Sequence, residues 1–305
     1  MITTSLRAPH YLSVGFVGVL MLVASSAGAM PVNVFLLGGQ SNMVGQAPTA
    51  GLPAALQSPQ DDVLFYYRYQ GSVTPLTTLG PGSGGSSANG FGPEVTFGRS
   101  IADALPDERF ALIKHAANGT TLYGSWDPTP EGPAQGGTYA GFQNTVSDGL
   151  AELVAAGYSY NIVGMLWTQG ETDANNGQTT GEYEANLIEF IADVRSRYGA
   201  NLPFFFNRLG TSQTQISLEH LANIRTAQEH VAAAVAHAYL IDIDGLTRQQ
   251  MADTVHFGAA GQMILGERFA QAYINSIPEP ATLMLATLGG LVIFSRRRRP
   301  SSTKA

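Results

Sequence analysis

The chain has no cysteine, which rules out disulfides and leaves an oxidising compartment neither required nor excluded. It is also poor in charge: Lys, Arg, Asp and Glu together make up 13% of its 305 residues, with a formal net charge of −7. That balance argues against a nucleic-acid partner, which would need a basic face. The one dense positive run, Arg296 to Arg299, is local. Short cofactor signatures are missing as well. No HExxH and no close His/Asp cluster with ligand spacing occurs, so no metal is expected. No GxGxxG or GxxxxGK[ST] loop follows a strand pattern, so neither nucleotide binding nor an organic cofactor is expected. A GxSxG elbow is absent too, which counts against an ordinary α/β-hydrolase.

What is present is a 44% hydrophobic chain, enough to bury the core of one large domain. Its two ends read differently from its middle. Residues 1–29 have the order of a secretory leader: Arg7, then the apolar core Tyr11 to Val23, then Ala27-Gly28-Ala29 at the point where signal peptidase would cut. At the other end, over 278–305, Pro278-Glu279-Pro280 precedes the apolar stretch Ala281 to Phe294 and then the four arginines. That stretch is short for a full span, which takes about 20 residues. In order and content it resembles the PEP-CTERM sorting signal of Gram-negative bacteria. The resemblance implies transient membrane association, processing by an exosortase, and release or attachment at the cell envelope or outside the cell. No linker divides residues 30–277, which are expected to form one domain.

Within that domain, apolar runs alternate with amphipathic stretches. Buried strands are expected at Val32 to Leu37, Phe110 to Lys114, Ile162 to Trp167, Leu202 to Phe206 and Ala238 to Ile243, with an extended segment at Asp62 to Tyr69. Helices are expected at Pro93 to Leu105 with Val95, Phe97 and Ile101 inward, and at Gly141 to Ala156 with Phe142, Val146, Leu150 and Val154 inward. Three more follow at Gly181 to Tyr198, Leu218 to Ala236 and Ala259 to Ile274. Strands alternating with helices argue for a parallel sheet covered on both faces, with its chemistry at the carboxyl ends of the strands.

Three strands run into polar, glycine-containing turns at Gly39 to Met43, His115 to Thr121 and Thr168 to Ala174. Ser41, just past the first, is the candidate nucleophile; its competing role is a helix N-cap. A serine hydroxyl needs a base oriented by a third group. Asp253 and His256, three residues apart before the last helix, can supply both, or can simply pair with each other locally. His115 is the alternative base, while His220, His230 and His237 fall in the pattern of solvated positions. Asn118 and Gly119 offer donors to a site or form an ordinary strand-to-helix turn. Trp126, on the loop from Tyr123 to Tyr139, either stacks on sugar or caps the core.

Gly39-Gln40-Ser41-Asn42-Met43, Phe91-Gly92-Pro93-Glu94, Asn118-Gly119-Thr120, Trp167-Thr168-Gln169-Gly170-Glu171-Thr172-Asp173 and Asp253-Thr254-Val255-His256 follow one another in this order. Together they resemble the motifs of the sialate O-acetylesterase and acetylxylan esterase branch of the SGNH hydrolases, over about residues 32–275. The resemblance implies a three-layer α/β sandwich with a central parallel sheet, flavodoxin-like in arrangement, and removal of O-acetyl groups from carbohydrate. It makes Ser41 the nucleophile, His256 the base and Asp253 its orienting acid. The backbone N–H of Ser41, the Gly119 turn and the Gln169 side chain match groups around the oxyanion, with Gln40 and Gly92 beside them and Glu171 organising its loop. Asn118 stands where the family usually has glycine, so that its amide either joins the oxyanion hole or narrows the pocket. Two other readings are a non-catalytic glycan-binding protein of an exopolysaccharide matrix, acting through Tyr123 and Trp126, and an esterase for non-carbohydrate esters.

Overall fold

The computed structural model describes residues 31–129 and 137–277. The expected leader and the C-terminal sorting segment lie outside these residues. Among the described residues, no helix is long and apolar enough to cross a membrane.

In chain order the elements are β1 (Val32–Gly39), α1 (Ser41–Val44), β2 (Ala47–Pro48), β3 (Gln60–Tyr69), β4 (Ser72–Leu79), β5 (Gly90–Phe91), α2 (Glu94–Ala104), β6 (Phe110–Ala116) and α3 (Gly137–Ala155). Then come β7 (Tyr160–Thr168), α4 (Gly177–Tyr198), β8 (Phe204–Asn207), α5 (Leu218–Ala234), β9 (Ala238–Ile241) and α6 (Ala259–Ser276). Seven strands form one sheet in the order β4-β3-β6-β1-β7-β8-β9. All neighbours are parallel except β3 and β4. The chain lays down β3 and β4 on one side of β1, inserts β6 between β3 and β1, and then crosses to the other side at β7. β1 is therefore the topological switch point, beside which sheets of this kind place their ligands.

Side chains alternate across a strand, and β1 shows what that does here. Val32, Val34 and Leu36 enter a core closed by α3, α4 and α5, whereas Phe35 and Leu37 enter a second core closed by α2 and α6. Both faces of the central strand are dry, which explains its nearly unbroken apolar run. Register then sets the site: Gly39 of β1 pairs with Ala116 of β6 and with Thr168 of β7. The three polar turns thus leave the sheet side by side. Gly39 is required at this edge, since a Cβ there would lie 2.1 Å from the Thr168 carbonyl oxygen.

Three local expectations need correction. The edge strand β4 goes unrecognised in the sequence because Pro75 interrupts it, and proline is tolerated at a sheet edge. The β3–β4 hairpin turns at Gln70-Gly71, both with positive φ, as a tight two-residue turn demands. Helix α3 starts at Gly137, a turn earlier than expected, because Tyr139 stacks on Phe142 and extends the buried face. Val154 is exposed, and Leu153 is buried in its place. Steps of four residues advance by about 40° more than a full turn, so three of them carry Val154 off the face that Phe142 occupies.

One buried ion pair ties this frame together. Lys114 Nζ lies 2.6 Å from Glu94 Oε2, and both side chains are fully buried. The ammonium also donates to the carbonyls of Val44 at 3.1 Å and Gly84 at 2.7 Å. Its three donors therefore hold the end of α1, the loop between β4 and β5 at Gly84, and the start of α2 on one strand. Burial pushes the lysine pKa down, and Glu94 opposes that shift. Lys114→Met leaves a carboxylate buried without its cation, which costs about 3–5 kcal/mol. Urea unfolding should show that loss, with a smaller one in the Lys114→Met/Glu94→Gln double variant, which keeps an acceptor for the Gly92 N–H.

Candidate active site

Ser41 is the first residue of α1, and Gln40, with extended backbone, is the N-cap. The serine is therefore not the cap, and no described residue forms a hydrogen bond with its hydroxyl. It sits 5% exposed at the floor of a cavity of about 380 Å³. Gln40, Asn118, Gly119, Glu171 and His256 line the same cavity, together with Gln46, Thr172, Asn175, Gln215, Ile216 and Val255.

His256 and Asp253 come from the loop between β9 and α6. The imidazole Nδ1 is 2.7 Å from Asp253 Oδ2. The other carboxylate oxygen, Oδ1, accepts the backbone N–H of Val255 at 2.8 Å and of His256 at 2.7 Å. Burial raises the Asp253 pKa, but these two N–H groups and the imidazole outweigh it and bring the carboxyl to about 2. It is ionised throughout the neutral range and holds Nδ1 as a donor, which leaves Nε2 as an acceptor. Ser41 and His256 share the cavity without a direct hydrogen bond; such pairs tighten when substrate enters.

The remaining expected site residues divide into two groups. Gly119 lines the cavity with φ +66 and open space where a Cβ would stand, so conformation rather than crowding calls for glycine. Asn118 lines it too; its Nδ2 donates to the Tyr69 hydroxyl at 2.9 Å, and its Oδ1 accepts from Gln46 at 3.4 Å. Glu171 reaches the cavity wall, and its Oε1 accepts from Asn42 at 2.7 Å and Gln213 at 2.9 Å. Gln40 Oε1 accepts from Gln169 at 3.2 Å and from the Thr172 N–H at 3.3 Å.

Gln169 and Gly92 stand behind the cavity wall. Gln169 is fully buried, and its amide donates to Gln40, to the Thr120 carbonyl and to Asp173. Its donors hold neighbouring turns together and do not face the cavity. The Gly92 N–H donates to Glu94 Oε1 at 2.8 Å, so it too is engaged within the frame. Asp173 receives the N–H groups of Leu122 and Tyr123 as well; burial pushes its carboxyl up to about 6, against the pull of these donors.

Trp126 does not stack on sugar from a surface loop. It is fully buried, edge-on to Trp167 with ring centres 4.8 Å apart, and its Nε1 donates to Thr120 Oγ1. Its large apolar area decides the matter, and the glycan-binding reading loses one of its two aromatic contacts. Tyr123 is exposed and bonds Gln178. His115 cannot replace His256, because its side chain leaves the sheet on the α3 side, against Gly141 and Trp126, and meets Thr145 Oγ1 at 3.0 Å. His220 is not solvated as expected, since its Nδ1 lies 2.7 Å from the Ala174 carbonyl. No group of three or more His, Asp or Glu among the described residues could hold a metal.

A mostly parallel seven-stranded sheet covered by helices on both faces, with a cavity beside its switch point, defines the class by fold as a three-layer α/β sandwich. Residues 31–275 match the family model described as carbohydrate esterase, sialic acid-specific acetylesterase, and the chain belongs to that family. Residues 276–299 match the PEP-CTERM protein-sorting motif, which implies export and sorting to the envelope or beyond. Solved structures agree on the fold. A protein from Arabidopsis thaliana superposes with a TM-score of 0.65 at 19% identity, covering 82% of this chain and all of its own. NanS gives 0.60 at 16% identity, covering 80% of this chain and 98% of its own. A carbohydrate acetylesterase from Xanthomonas citri gives 0.56 at 17%, covering 79% of this chain and 55% of its own. No curated protein sequence matches the chain.

His115, which does not line the cavity, makes a separate prediction. Burial lowers the His115 pKa from 6.5 to about 4, helped by the Arg68 charge. The folded state disfavours the proton, so the stability this imidazole contributes is full above its unfolded pKa and is lost as pH falls from about 6.5 towards 4. The difference is worth about 3 kcal/mol. Urea unfolding from pH 7 to pH 4 should show that fall, and His115→Gln should flatten it.

Proposed function

We propose that this protein is an exported serine esterase that removes O-acetyl groups from carbohydrate through an acetyl-enzyme. The observation that carries the reading is the Ser41 hydroxyl, which no described residue engages, on the lining of the cavity that His256 also lines, with Asp253 behind the imidazole. Ser41 Oγ attacks the ester carbonyl while His256 Nε2 takes its proton. Asp253 stabilises the imidazolium that results. Collapse of the tetrahedral intermediate returns that proton to the leaving sugar oxygen. Water then attacks the acetyl-enzyme with His256 again as base, releasing acetate and restoring Ser41.

Negative charge develops on the carbonyl oxygen in both halves of the reaction. The Ser41 N–H at the first turn of α1 and the Gly119 turn border the cavity where such donors are needed, and each donor aimed there lowers the barrier by about 3–4 kcal/mol. The wall also carries the neutral amides of Gln46, Asn118, Asn175 and Gln215, whose donors and acceptors suit sugar hydroxyls. No metal or organic cofactor enters the scheme. The domain spans residues 30–277, preceded by a leader removed by signal peptidase and followed by a segment processed by an exosortase; these boundaries belong to the proposal.

In the full chain, Ser41→Ala should lower acetate release from acetylated xylan and from 4-nitrophenyl acetate by at least about a thousandfold. Circular dichroism should remain unchanged. Asp253→Asn should lower kcat with little change in KM, since the carboxylate acts on the imidazole and not on substrate. Undiminished turnover in Ser41→Ala would overturn the mechanism.

A further inference from the structure

The residue following Ser41 grips the chain on both sides of His256. Asn42 is fully buried in the second turn-forming position of α1. Its Nδ2 donates to the Val255 carbonyl at 3.1 Å, and its Oδ1 accepts the Phe257 N–H at 3.0 Å. Val255 and Phe257 are the immediate neighbours of His256, more than 200 residues away in the chain. The Asn42 carbonyl accepts from Gln262 Nε2 at 3.0 Å, which adds the first turns of α6 to the same junction.

The Nδ2 group also donates to Glu171 Oε1 at 2.7 Å. Gln213 duplicates this donor pattern: its Nε2 reaches Glu171 Oε1 at 2.9 Å and the Val255 carbonyl at 3.1 Å. Two amides thus share two acceptors in a closed, buried ring. Gln213 is itself fixed, its Oε1 accepting the Gly210 N–H at 2.8 Å. The turns after β1, β7 and β8 meet the His256 loop at this point. Of the two amides, only Asn42 is covalently next to Ser41, and only Asn42 reaches Phe257.

We propose that Asn42 is a positioning residue: it sets the imidazole of His256 against Ser41 by holding the peptide groups on either side of the histidine. The inference rests on the esterase reading above. Helix propensity does not explain asparagine here, since α1 has four residues and asparagine is a poor helix former. The side chain matches its two backbone contacts in donor and acceptor sense, one amide atom to each. A displacement of about 1 Å between reacting groups costs on the order of a hundredfold in rate, and these two bonds restrain that displacement.

Two variants of the full chain test this. Asn42→Ala removes both grips. Asn42→Asp keeps the acceptor for Phe257 but sets a second carboxylate against Glu171 and the Val255 carbonyl. Two carboxyl groups at that distance share a proton, and the shared proton restores a donor as pH falls. With 4-nitrophenyl acetate at pH 7.5, kcat should fall about a hundredfold in Asn42→Ala with KM within about threefold of the parent. The second-order rate of Ser41 labelling by a 4-nitrophenyl phosphonate should fall with it. The ratio of Asn42→Asp to parent kcat should rise as pH is lowered from 8 to 5, a signature that a merely structural role would not produce.

Ser41→Ala is assayed alongside. Parent activity on no ester, or full activity in Ser41→Ala, overturns the esterase reading and this inference with it. An active parent, an inactive Ser41→Ala and folded Asn42 variants with parental kcat overturn this inference alone. If both Asn42 variants are recovered only unfolded, packing accounts for the residue and the inference is likewise overturned.

Discussion

The frame depends on a lysine ammonium placed where no water reaches it. Lys114 has three donors and finds three oxygens, on Glu94, Val44 and Gly84, with the Tyr67 ring 5.0 Å from its nitrogen. A buried charge is tolerated only when paired and hydrogen-bonded, so these four pieces of chain can pack only together. The pairing is a constraint more than a source of stability. It ties down the Val44 carbonyl at the end of α1 and, through Glu94 and the Gly92 N–H, the turn into α2. Ser41 is therefore held from behind by a charge it never meets.

In front, the donors are neutral amides. The ring of Asn42, Gln213, Glu171 and the Val255 carbonyl joins the serine's helix to the histidine's loop, and a second set, Gln169 with Gln40, Thr120 and Asp173, joins the turns after β1, β6 and β7. Each set centres on a carboxylate that accepts from amides. Amide donors serve here because they hold geometry without adding a charge that would compete with the imidazole. Gln169, which the resemblance set among the groups around the oxyanion, is engaged in this scaffold together with Asp173.

Much of this was legible beforehand, for reasons that can be stated. Strand alternation and helix spacing are local records of which face is dry, so β1, α2 and the order of elements could be read directly. The convergence of three turns followed from parallel pairing with level strand ends. Ser41, Asp253 and His256 could be singled out as candidates because nucleophile chemistry restricts residue types and because their motifs stand at strand and helix ends; Ser41 and His256 line one cavity, with Asp253 on the imidazole. What stayed hidden depends on partners far away in the chain. Trp126 gave no sign of whether its loop folds in or out; that depends on Trp167 and Phe190, which α4 and β7 bring to it. Lys114 read as the polar end of a strand, and Glu94 as a carboxylate at a helix start; neither position announces the other. Val154 was misplaced by extrapolating four-residue steps beyond the length over which they follow one face.

The unequal burial of the proposed triad follows from the same division of labour. Ser41 is nearly enclosed, whereas the His256 and Asp253 side chains are 23% and 53% exposed. A deeply buried Asp253 would have a raised pKa, as Asp173 does at about 6, and would have lost its charge in part of the working range. Kept near solvent and given two backbone N–H donors, Asp253 stays ionised down to about 2 and can balance a positive imidazole whenever one forms. Its bond to the imidazole lies near solvent, where it restrains the ring less firmly than a buried bond would. Firmer restraint falls to groups on the inner side of the same loop, Val255 and Phe257, where burial makes neutral hydrogen bonds directional and hard to break. Charge compensation is thus placed outside and positioning inside, one residue apart in the chain.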